Sequence, residues 1–452
     1  MLSIRRPIVR GECHPLRQMR VWGSLAVTAL LVACTACGSS APPSPARPSL
    51  RIGVDLPLTG HEARASVPAL NGIRFFVQTH PVLDGFDVVL VPSDDARDGL
   101  PNSQLGASNV GKFIADPSVV AMIGPFDAWV ARREIPIANA AGLAMVSPAT
   151  SNPCLTRDVF IPAPLNPART AITCKDAGLP GASELRAGHT NNYFRLTTTD
   201  ELQGSAAADF AYRKLHVQRA AVISDHEAYG QGLVDSFSGR LTNLGGAVLG
   251  HLDLEPGQGD ASDFLKRMKG AGAQAIYYGG SSRNGCSIRA AMKSIFPPGE
   301  GTPFLGGDGI AQDPTCISSA GENSPGIYAT VPIVDAASRP SAARSIHDFK
   351  ASFGTTAAYG LYTMVAYDAT AVLYAALDRA IRDAGGHLPA RAKVTAELAQ
   401  TSGLAGATGT LGFDAAGDTT NRIVTVFEAA GADPRASWKL VDAVDYSTRL
   451  PY

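Results

Sequence analysis

The chain has 452 residues, of which 45% are hydrophobic and 17% are charged, and its formal net charge is -1. This length is too great for one ordinary hydrophobic core and predicts two lobes. The near-neutral balance lacks the basic footprint of a nucleic-acid-binding protein, so we expect no nucleic acid partner.

The first residues predict a targeting segment. Several arginines precede an apolar run from Val21 to Ala33. A membrane-spanning helix needs about 20 apolar residues, so this shorter run is typical of the apolar core of a signal peptide. Residues 1–36 are therefore predicted to be a leader, with Met19 as an alternative start of translation.

The apolar run ends in Leu31-Val-Ala-Cys34, which looks like a bacterial lipobox. Cys34 is the predicted lipidation site, Cys37 is the competing site, and an ordinary secretory signal is the remaining alternative. Acylation would anchor the protein on the outer face of the cell membrane. Residues 37–49 are rich in Pro and Ser and are predicted to form a tether.

Four cysteines remain after the tether. In an exported protein an even number of cysteines favours disulfides. Three pairings are open, and we prefer the pairing that is local in sequence, Cys154–Cys174 with Cys286–Cys316. No CxxC or histidine-containing ligand spacing accompanies these cysteines, so we expect no metal site.

Strands and helices alternate from residue 50 in two consecutive series. This alternation predicts an α/β fold with two doubly wound parallel-sheet lobes, whose ligands collect at the carboxyl ends of the strands. The predicted strands cover residues 51–58, 86–92, 119–124 and 144–147 in the first series, and 220–224, 248–254, 275–279, 304–307 and 326–332 in the second. A long helix over 361–383 and strands over 422–427 and 437–441 follow.

Residues 156–192 form a stretch of Pro, Gly and polar residues without a sustained period. This stretch is too long for a plain connection. We expect an insertion within the first lobe, clipped by Cys154 and Cys174 and lying near the mouth of the cleft; a disordered flap is the alternative.

Several short strings in this order resemble the leucine/isoleucine/valine-binding family of type I periplasmic binding proteins. They include Ile52-Gly-Val-Asp-Leu-Pro-Leu-Thr-Gly60, Ala121-Met-Ile-Gly-Pro125, Ser147-Pro-Ala-Thr-Ser-Asn152, Tyr193-Phe-Arg195, Tyr229-Gly-Gln-Gly232, Ile276-Tyr-Tyr-Gly-Gly280 and Ala366-Tyr-Asp-Ala369. The resemblance runs from about residue 50 to the end, with 156–192 as an insertion.

The resemblance implies two lobes joined by three crossovers that close on a ligand. The crossovers are expected near Leu196–Thr199, Pro332–Asp335 and Leu411–Asp418. The N-lobe would combine 50–196 with 333–412, and the C-lobe would combine 197–332 with 413–452.

The resemblance also implies a pocket for an amino acid. The family segment that grips the ligand aligns to Ser147-Pro-Ala-Thr-Ser151, which includes Thr150. Ala149 would offer its carbonyl to the ammonium, and Ser151 its hydroxyl and backbone N–H to the carboxylate. Ala128 aligns to a family serine, so one hydroxyl is missing there.

The remaining pocket positions come from the second half of the chain. Asp308 aligns to the acidic partner of the ammonium, and Tyr229 to a tyrosine that packs over the ligand. Ser281 and Ala65 align to two further tyrosines, which leaves the pocket wider and more polar than in the family. The alternatives are a turn residue for Asp308, a cap for Ser151 and a packing aromatic for Tyr229.

Enzyme signatures are missing from the sequence. No GxGxxG, GxxxxGK[ST], GxSxG or HExxH pattern occurs. Asp94 and Asp95 form an acidic pair at a strand end, which is usually a solvated turn or a helix cap. We therefore expect no catalysis and no cofactor.

The combined prediction is an extracytoplasmic solute-binding lipoprotein of an ABC importer. Its partners would be an amino acid, or a related small polar amide, and an ABC permease in the membrane, and the protein would act as a monomer. Two alternatives remain open: a ligand-sensing module that signals without transport, and an extracytoplasmic enzyme with an unrecognised site.

Overall fold

A computed structural model describes the chain from Arg47 to Tyr452, except for residues 167, 189, 256–259, 297–300, 312, 322–323, 355–358, 430 and 432–437. The predicted leader, the lipidation sites Cys34 and Cys37 and most of the tether lie outside the described residues. No helix in the described part is long and apolar enough to cross a membrane.

The first half of the described chain contains ten strands and four helices. Their bounds are β1 Ser49–Leu56, α1 Ala63–Thr79, β2 Val82–Leu83, β3 Phe86–Asp94, β4 Ala96–Arg97, β5 Leu100–Pro101, α2 Ser103–Ala115, β6 Val119–Ile123, α3 Ala128–Ala140, β7 Ala144–Ser147, β8 Val159–Ile161, β9 Ile172–Thr173, α4 Ala182–Leu185 and β10 Tyr193–Arg195.

The second half contains nine strands and eight helices among the described residues. Their bounds are α5 Asp200–Arg213, β11 Arg219–Ser224, α6 Ala228–Asn243, β12 Ala247–Asp253, α7 Ser262–Gly270, β13 Ala275–Gly279, α8 Ser282–Ile295, β14 Phe304–Gly306, α9 Pro314–Ala320, β15 Ile327–Val331, α10 Ala343–Phe353, α11 Thr363–Asp383, α12 Arg391–Ala399, β16 Leu404–Gly406, β17 Gly409–Leu411, β18 Ile423–Ala429 and β19 Trp438–Asp445.

Two large sheets organise the molecule and confirm the predicted α/β class with two lobes. The first sheet has the strand order β10-β7-β6-β1-β3-β2, and the second has the order β12-β11-β13-β14-β15-β18-β19. All pairs are parallel except β2–β3, β15–β18 and β18–β19, which are antiparallel. Each sheet is therefore parallel in its body and antiparallel at one edge, a common arrangement for large sheets.

Buried apolar strands and helices from distant parts of the sequence form the N-lobe. Strand β6 is buried at all five positions, as expected for a strand covered on both faces. Helix α11 packs on α1 so closely that a Cβ on Gly72 would lie 2.0 Å from the carbonyl oxygen of Thr363. The Arg391 guanidinium at the start of α12 donates to the carbonyl of Val119, the first residue of β6. Helices α11 and α12 thus complete the lobe around the first sheet.

The three crossovers run side by side between the lobes. The backbone N–H of Thr198 donates to the carbonyl of Pro332 at 2.8 Å, and that of Arg195 donates to the carbonyl of Gly417 at 3.0 Å. The buried Arg195 guanidinium also forms an ion pair with Asp418 at 2.7 Å. These contacts join the three crossovers. The predicted lobe boundaries, 50–196 with 333–412 and 197–332 with 413–452, stay a prediction.

Both disulfides follow the sequence-local pairing, Cys154–Cys174 and Cys286–Cys316. The first clips the insertion, whose own small core contains Phe160, Ile161 and Leu165.

The insertion packs along α6 and against the third crossover. The amide of Asn243 donates to the Pro164 carbonyl at 2.7 Å, and a Cβ on Gly239 would lie 1.6 Å from the carbonyl oxygen of Leu165. Arg157 pairs with Asp418 at 2.8 Å. The insertion therefore links the segment before β10 to a C-lobe helix, a contact that its sequence did not predict.

Candidate functional site

The site lies where helix starts and strand ends of both lobes face each other. Ser147 ends β7, and Tyr229 lies in the first turn of α6. Asp308 follows β14 after one further glycine, and Tyr362 immediately precedes α11. Carboxyl ends of parallel strands and helix N-termini leave backbone N–H groups and short polar side chains free to contact a ligand.

Asp308 is the centre of a hydrogen-bond network. The Tyr229 hydroxyl donates to Oδ1 at 2.6 Å and the Gln203 amide donates to the same oxygen at 2.9 Å. The Tyr362 hydroxyl donates to Oδ2 at 3.0 Å. These three donors are neutral, and within the described residues Asp308 forms no ion pair. The negative charge is therefore held by dipoles alone, which suits a carboxylate that receives a cationic group from a ligand.

Burial and the neighbouring Asp308 carboxylate raise the pKa of Tyr229 well above its ordinary value. The same causes raise the pKa of Tyr362. Both phenols therefore stay protonated and act as donors at neutral pH.

Asp200, the first residue of α5, lies beside this network. Its side chain is 1% exposed, and neither oxygen has a hydrogen-bond partner in the described part of the chain. Burial raises the pKa of this carboxyl to about 7, although the Ser151 hydroxyl, which faces it, lowers that pKa. The Asp200 backbone N–H donates to the Ser151 carbonyl at 3.0 Å. Ser151 and Asp200 thus place a hydroxyl beside a buried carboxylate that forms no ion pair among the described residues.

Further charged groups surround these carboxylates. Burial raises the pKa of Glu62, and Asp127 raises it further. Burial also raises the pKa of Asp127 itself, the residue before α3. Burial lowers the pKa of Arg132, whereas the charges of Asp127 and Asp200 raise it. The Arg132 Nε has no hydrogen-bond partner among the described residues. Among the described residues these groups make the site acidic, with the partly buried Arg132 guanidinium beside the carboxylates.

Side-chain contacts also join the lobes across the site. Tyr362 belongs to the N-lobe and Asp308 follows a C-lobe strand, so their hydrogen bond crosses the cleft. Arg64 of α1 pairs with Asp313 at 3.2 Å. The ring of Phe126 packs edge-on against Tyr362 with centroids 5.0 Å apart, which fixes the tyrosine near the cleft.

The residues aligned with the family segment lie in the N-lobe beside the cleft. Ala149 is 7% exposed, and its N–H donates to the Ser147 hydroxyl at 3.2 Å. The Thr150 hydroxyl bonds to Ser147 and Tyr193, so it holds the turn in place. Their predicted ligand contacts, through the Ala149 carbonyl and through Thr150, stay predictions.

Ala128 and Ser281 begin helices at the rim. Ala128 is the first residue of α3 and is half-buried against the N-lobe core. Ser281 precedes α8, is exposed, and donates its N–H to Asp225 at 3.1 Å. The described hydrogen bonds do not join either residue to the Asp308 network, so their predicted ligand roles are untested.

Sequence reasoning missed four members of the site: Asp200, Gln203, Tyr362 and Arg132. The first two lie one turn apart at the start of the helix that follows the first crossover, a position where polar side chains point to the cleft. Tyr362 immediately precedes a long helix, and the described residues between β15 and this helix include no strand that would have placed it at the cleft. These residues become visible only once the crossovers are placed in space.

Two doubly wound lobes, three crossovers and a polar interlobe site define a type I periplasmic binding protein. A family model described as periplasmic binding protein matches residues 49–433. The chain therefore belongs to the periplasmic binding protein family, and it is an extracytoplasmic solute-binding protein. The predicted family and fold class are confirmed.

Individual relatives agree with this assignment. A Leu/Ile/Val-binding protein homolog of Brucella melitensis is 28% identical over 389 residues, which cover 85% of this chain and 92% of the relative. The crystal structure of a leucine-binding protein from Thermotoga maritima is 26% identical with a TM-score of 0.68, and the match covers 87% of this chain and 98% of that chain.

More distant structures share the fold. A solute-binding protein of Rhodopseudomonas palustris in complex with 4-hydroxybenzoate has a TM-score of 0.68 at 16% identity, with 88% of this chain and 97% of that chain covered. At this identity the likeness shows the fold alone.

Proposed function

We propose that this protein binds an amino acid between its lobes and delivers it to the membrane permease of an ABC importer. The observation that carries the proposal is the Asp308 carboxylate, which three neutral donors hold at the lobe interface without a cationic partner in the described residues. A ligand ammonium supplies that partner. The unpaired carboxylate of Asp200 beside Ser151 offers a second acceptor for the same group.

The carboxylate of the ligand would bind on the N-lobe side. Ser151 offers its hydroxyl, and Arg132 offers a guanidinium whose Nε has no partner among the described residues. A charged ligand group must be paired when it leaves water. Arg132 and Ser151 on one side and Asp308 and Asp200 on the other provide this pairing for an α-amino acid.

The ligand side chain would occupy a wider space than in branched-chain binders. Ala65 packs against the N-lobe core and Ser281 is exposed, and both stand where the family resemblance places tyrosines. A leucine-like ligand and a larger or more polar amino acid would both fit this description.

Anchoring and assembly complete the proposal. The lipobox-like sequence ending at Cys34, with Cys37 as alternative, would attach the protein to the outer face of the membrane through a lipid. We propose that the protein acts as a monomer and carries out no catalysis, in line with its membership of a family of solute-binding proteins.

The proposal is tested by ligand-dependent thermal shift and calorimetry with the common L-amino acids. A true ligand at one hundred times its Kd should stabilise the protein by about 2.7 kcal/mol. The matched 2-hydroxy acid, which lacks the ammonium, should bind at least a hundredfold more weakly. No shift with any amino acid, or equal affinity for the hydroxy acid, would contradict the proposal.

Asp308→Asn should abolish amino acid binding while the fold is retained, because an amide keeps the shape but loses the charge. Asp235→Asn is the matched control: Asp235 lies on α6, the helix that carries Tyr229, and burial raises its pKa to about 6. Its substitution should leave affinity unchanged. Equal affinity in Asp308→Asn and the wild type would move the site elsewhere.

A further inference from the structure

Three carboxylates meet inside the N-lobe, apart from the residues assigned to the ligand. Asp55 lies near the end of β1, Asp95 directly follows β3, and Glu134 lies in the middle of α3. All three are 0% exposed, and one oxygen from each lies within 4.8 Å of the others. We call these three residues the carboxylate cluster.

Five of the six oxygens of the carboxylate cluster have no partner. Asp55 Oδ1 accepts from the Asn109 amide at 2.9 Å. Asp55 Oδ2 and both oxygens of Asp95 and of Glu134 have no hydrogen-bond partner among the described residues. Buried polar atoms in proteins are almost always satisfied, so five unpaired oxygens in one place point to a bound group.

The nearby lysine does not neutralise the cluster. The Lys112 ammonium donates to the Asn109 side-chain oxygen at 3.1 Å, and its charge lowers the pKa of Asp55 only as the last of several contributions. Within the described residues, none of the three carboxylates forms an ion pair. The protein fold itself therefore supplies no counter-charge in contact with the cluster.

Burial makes ionisation of these three carboxyl groups unfavourable. It raises the pKa of Asp55 to about 6 and of Asp95 to about 8, and it raises that of Glu134 well above the ordinary value. The cluster must take up positive charge in the folded protein, either as protons or as a cation. Protons neutralise the carboxylates one at a time, and Asp55 and Glu134 lie close enough to share one, whereas a cation contacts several oxygens at once.

A glycine on α2 leaves space beside the carboxylate cluster. Gly106 of α2 faces it, and a Cβ there would lie 2.5 Å from Glu134 Oε1 and 3.4 Å from Asp55 Oδ2. Any side chain at this position would press on the carboxylates. The missing side chain leaves the oxygens free to turn toward a common centre.

The donor set selects the kind of cation. All available ligand atoms are carboxylate oxygens, which suit hard cations; zinc in proteins is usually bound by nitrogen and sulfur ligands. Calcium binds six to eight oxygens at about 2.3–2.6 Å, so oxygens on opposite sides of the ion lie about 5 Å apart. Magnesium needs a tighter octahedron, with opposite oxygens about 4 Å apart. The cluster brings oxygens of three side chains within 4.8 Å of one another without a fixed octahedral arrangement, which suits the variable coordination of calcium better than the strict geometry of magnesium.

We propose that Asp55, Asp95 and Glu134 bind a calcium ion inside the N-lobe. The ion joins β1, the segment after β3 and α3, three elements that meet beside the cleft. Its role is to neutralise the buried carboxylates and to tie these elements together. This assignment departs from the expectation of no metal and from the view of Asp94-Asp95 as a solvated turn, because Asp95 is fully buried.

The wild-type protein provides the first test. After dialysis against EDTA, we expect the melting temperature to rise when CaCl2 is added and to rise less with MgCl2 at the same ionic strength. Mass spectrometry of metals after desalting from CaCl2 should find close to one calcium ion per chain. A calcium-free protein whose melting temperature does not respond to calcium would overturn the proposal.

Variants locate the ion. Glu134→Gln and Asp95→Asn should each lower the calcium content and reduce the calcium-dependent rise in melting temperature by more than half. Asp368→Asn is the matched control, because Asp368 is equally buried but receives donors from Ala407 and Thr408. It should lower the melting temperature and keep the full calcium response. If the cluster variants instead melt higher than the wild type at neutral pH and the wild type ignores calcium, protons neutralise the cluster and the calcium site is wrong.

Discussion

Asp200 links the stability of the protein to pH. Burial raises the pKa of its carboxyl to about 7, whereas an aspartate in an unfolded chain has a pKa of about 3.9. A folded pKa above the unfolded one gives a stabilising contribution that is complete below about pH 4 and is lost as the pH rises through about 7. At neutral pH the ionised, unpaired carboxylate therefore destabilises the ligand-free protein.

We predict that Asp200→Asn removes this dependence. The difference in the free energy of unfolding between variant and wild type should grow in favour of the variant from pH 4 to pH 8, because the amide carries no charge to bury. Urea unfolding at a series of pH values measures this difference. A difference that stays constant over this range would show that Asp200 ionises without cost.

The individual site residues were only partly visible in the sequence. Asp308 and Tyr229 were found because short strings around them resemble the family, and the structure joins them by a hydrogen bond of 2.6 Å. Asp55, Asp95 and Glu134 stand 40 and 39 residues apart and show no ligand spacing. Only the folding of the sheet and α3 brings them together, so no local pattern could reveal the cluster.

At the scale of elements, the short buried strands were predicted closely, whereas one amphipathic helix was missed. Strand β13 was predicted at 275–279 and lies there, since all five of its residues are buried. Helix α10, Ala343–Phe353, was not predicted, and Phe349 is its only buried residue among those described. Its apolar residues Ile346, Phe349 and Phe353 recur at helical spacing and pack in one cluster, so the sequence does contain an amphipathic pattern here that the prediction overlooked.

The insertion contains one of the two disulfides, Cys154–Cys174. We predict that this disulfide stabilises the insertion itself. Replacing Cys154 and Cys174 by alanine should cost about 3 kcal/mol on the loop-entropy model. It should also speed proteolysis between residues 156 and 192, because the small core of the insertion then rests only on its packing against α6 and the third crossover. Urea unfolding and limited proteolysis measure the two effects.

The matched control is the second disulfide, Cys286–Cys316, which joins α8 to α9. Its removal should cost a similar free energy, about 3.5 kcal/mol on the same model, and should leave cleavage within the insertion unchanged. Equal protease sensitivity in both variants would mean that the insertion is held by its packing along α6 and not by its own disulfide.

For the whole molecule, the sequence predicted the two lobes but not their mixed sheets. The apolar residues of 422–427 and 437–441 predict two strands, but they do not indicate whether these strands pair parallel or antiparallel with their neighbours. The direction of β18 is set by the third crossover, which returns the chain into the C-lobe, so that β18 runs antiparallel to β15. Such directions depend on contacts between residues far apart in sequence.

The contact between Tyr362 and Asp308 connects the site to the relative position of the lobes. A hydrogen bond to a charged group contributes about 1.5–3 kcal/mol, and this one forms only when the two lobes are together. In a two-state equilibrium, a ligand that contacts both lobes uses the same arrangement. Loss of the tyrosine hydroxyl should therefore favour separated lobes and weaken ligand binding.

We predict that Tyr362→Phe lowers amino acid affinity by about tenfold or more, in line with the loss of one charged hydrogen bond, and increases the radius of gyration of the ligand-free protein. Tyr374→Phe is the control on the same helix, since the Tyr374 hydroxyl donates to the carbonyl of His80 within the N-lobe. That variant should keep both affinity and scattering. Wild-type scattering in Tyr362→Phe, together with wild-type affinity, would show that this contact does not hold the lobes together, and lobe closure would then have to rest on other contacts such as Arg64 with Asp313.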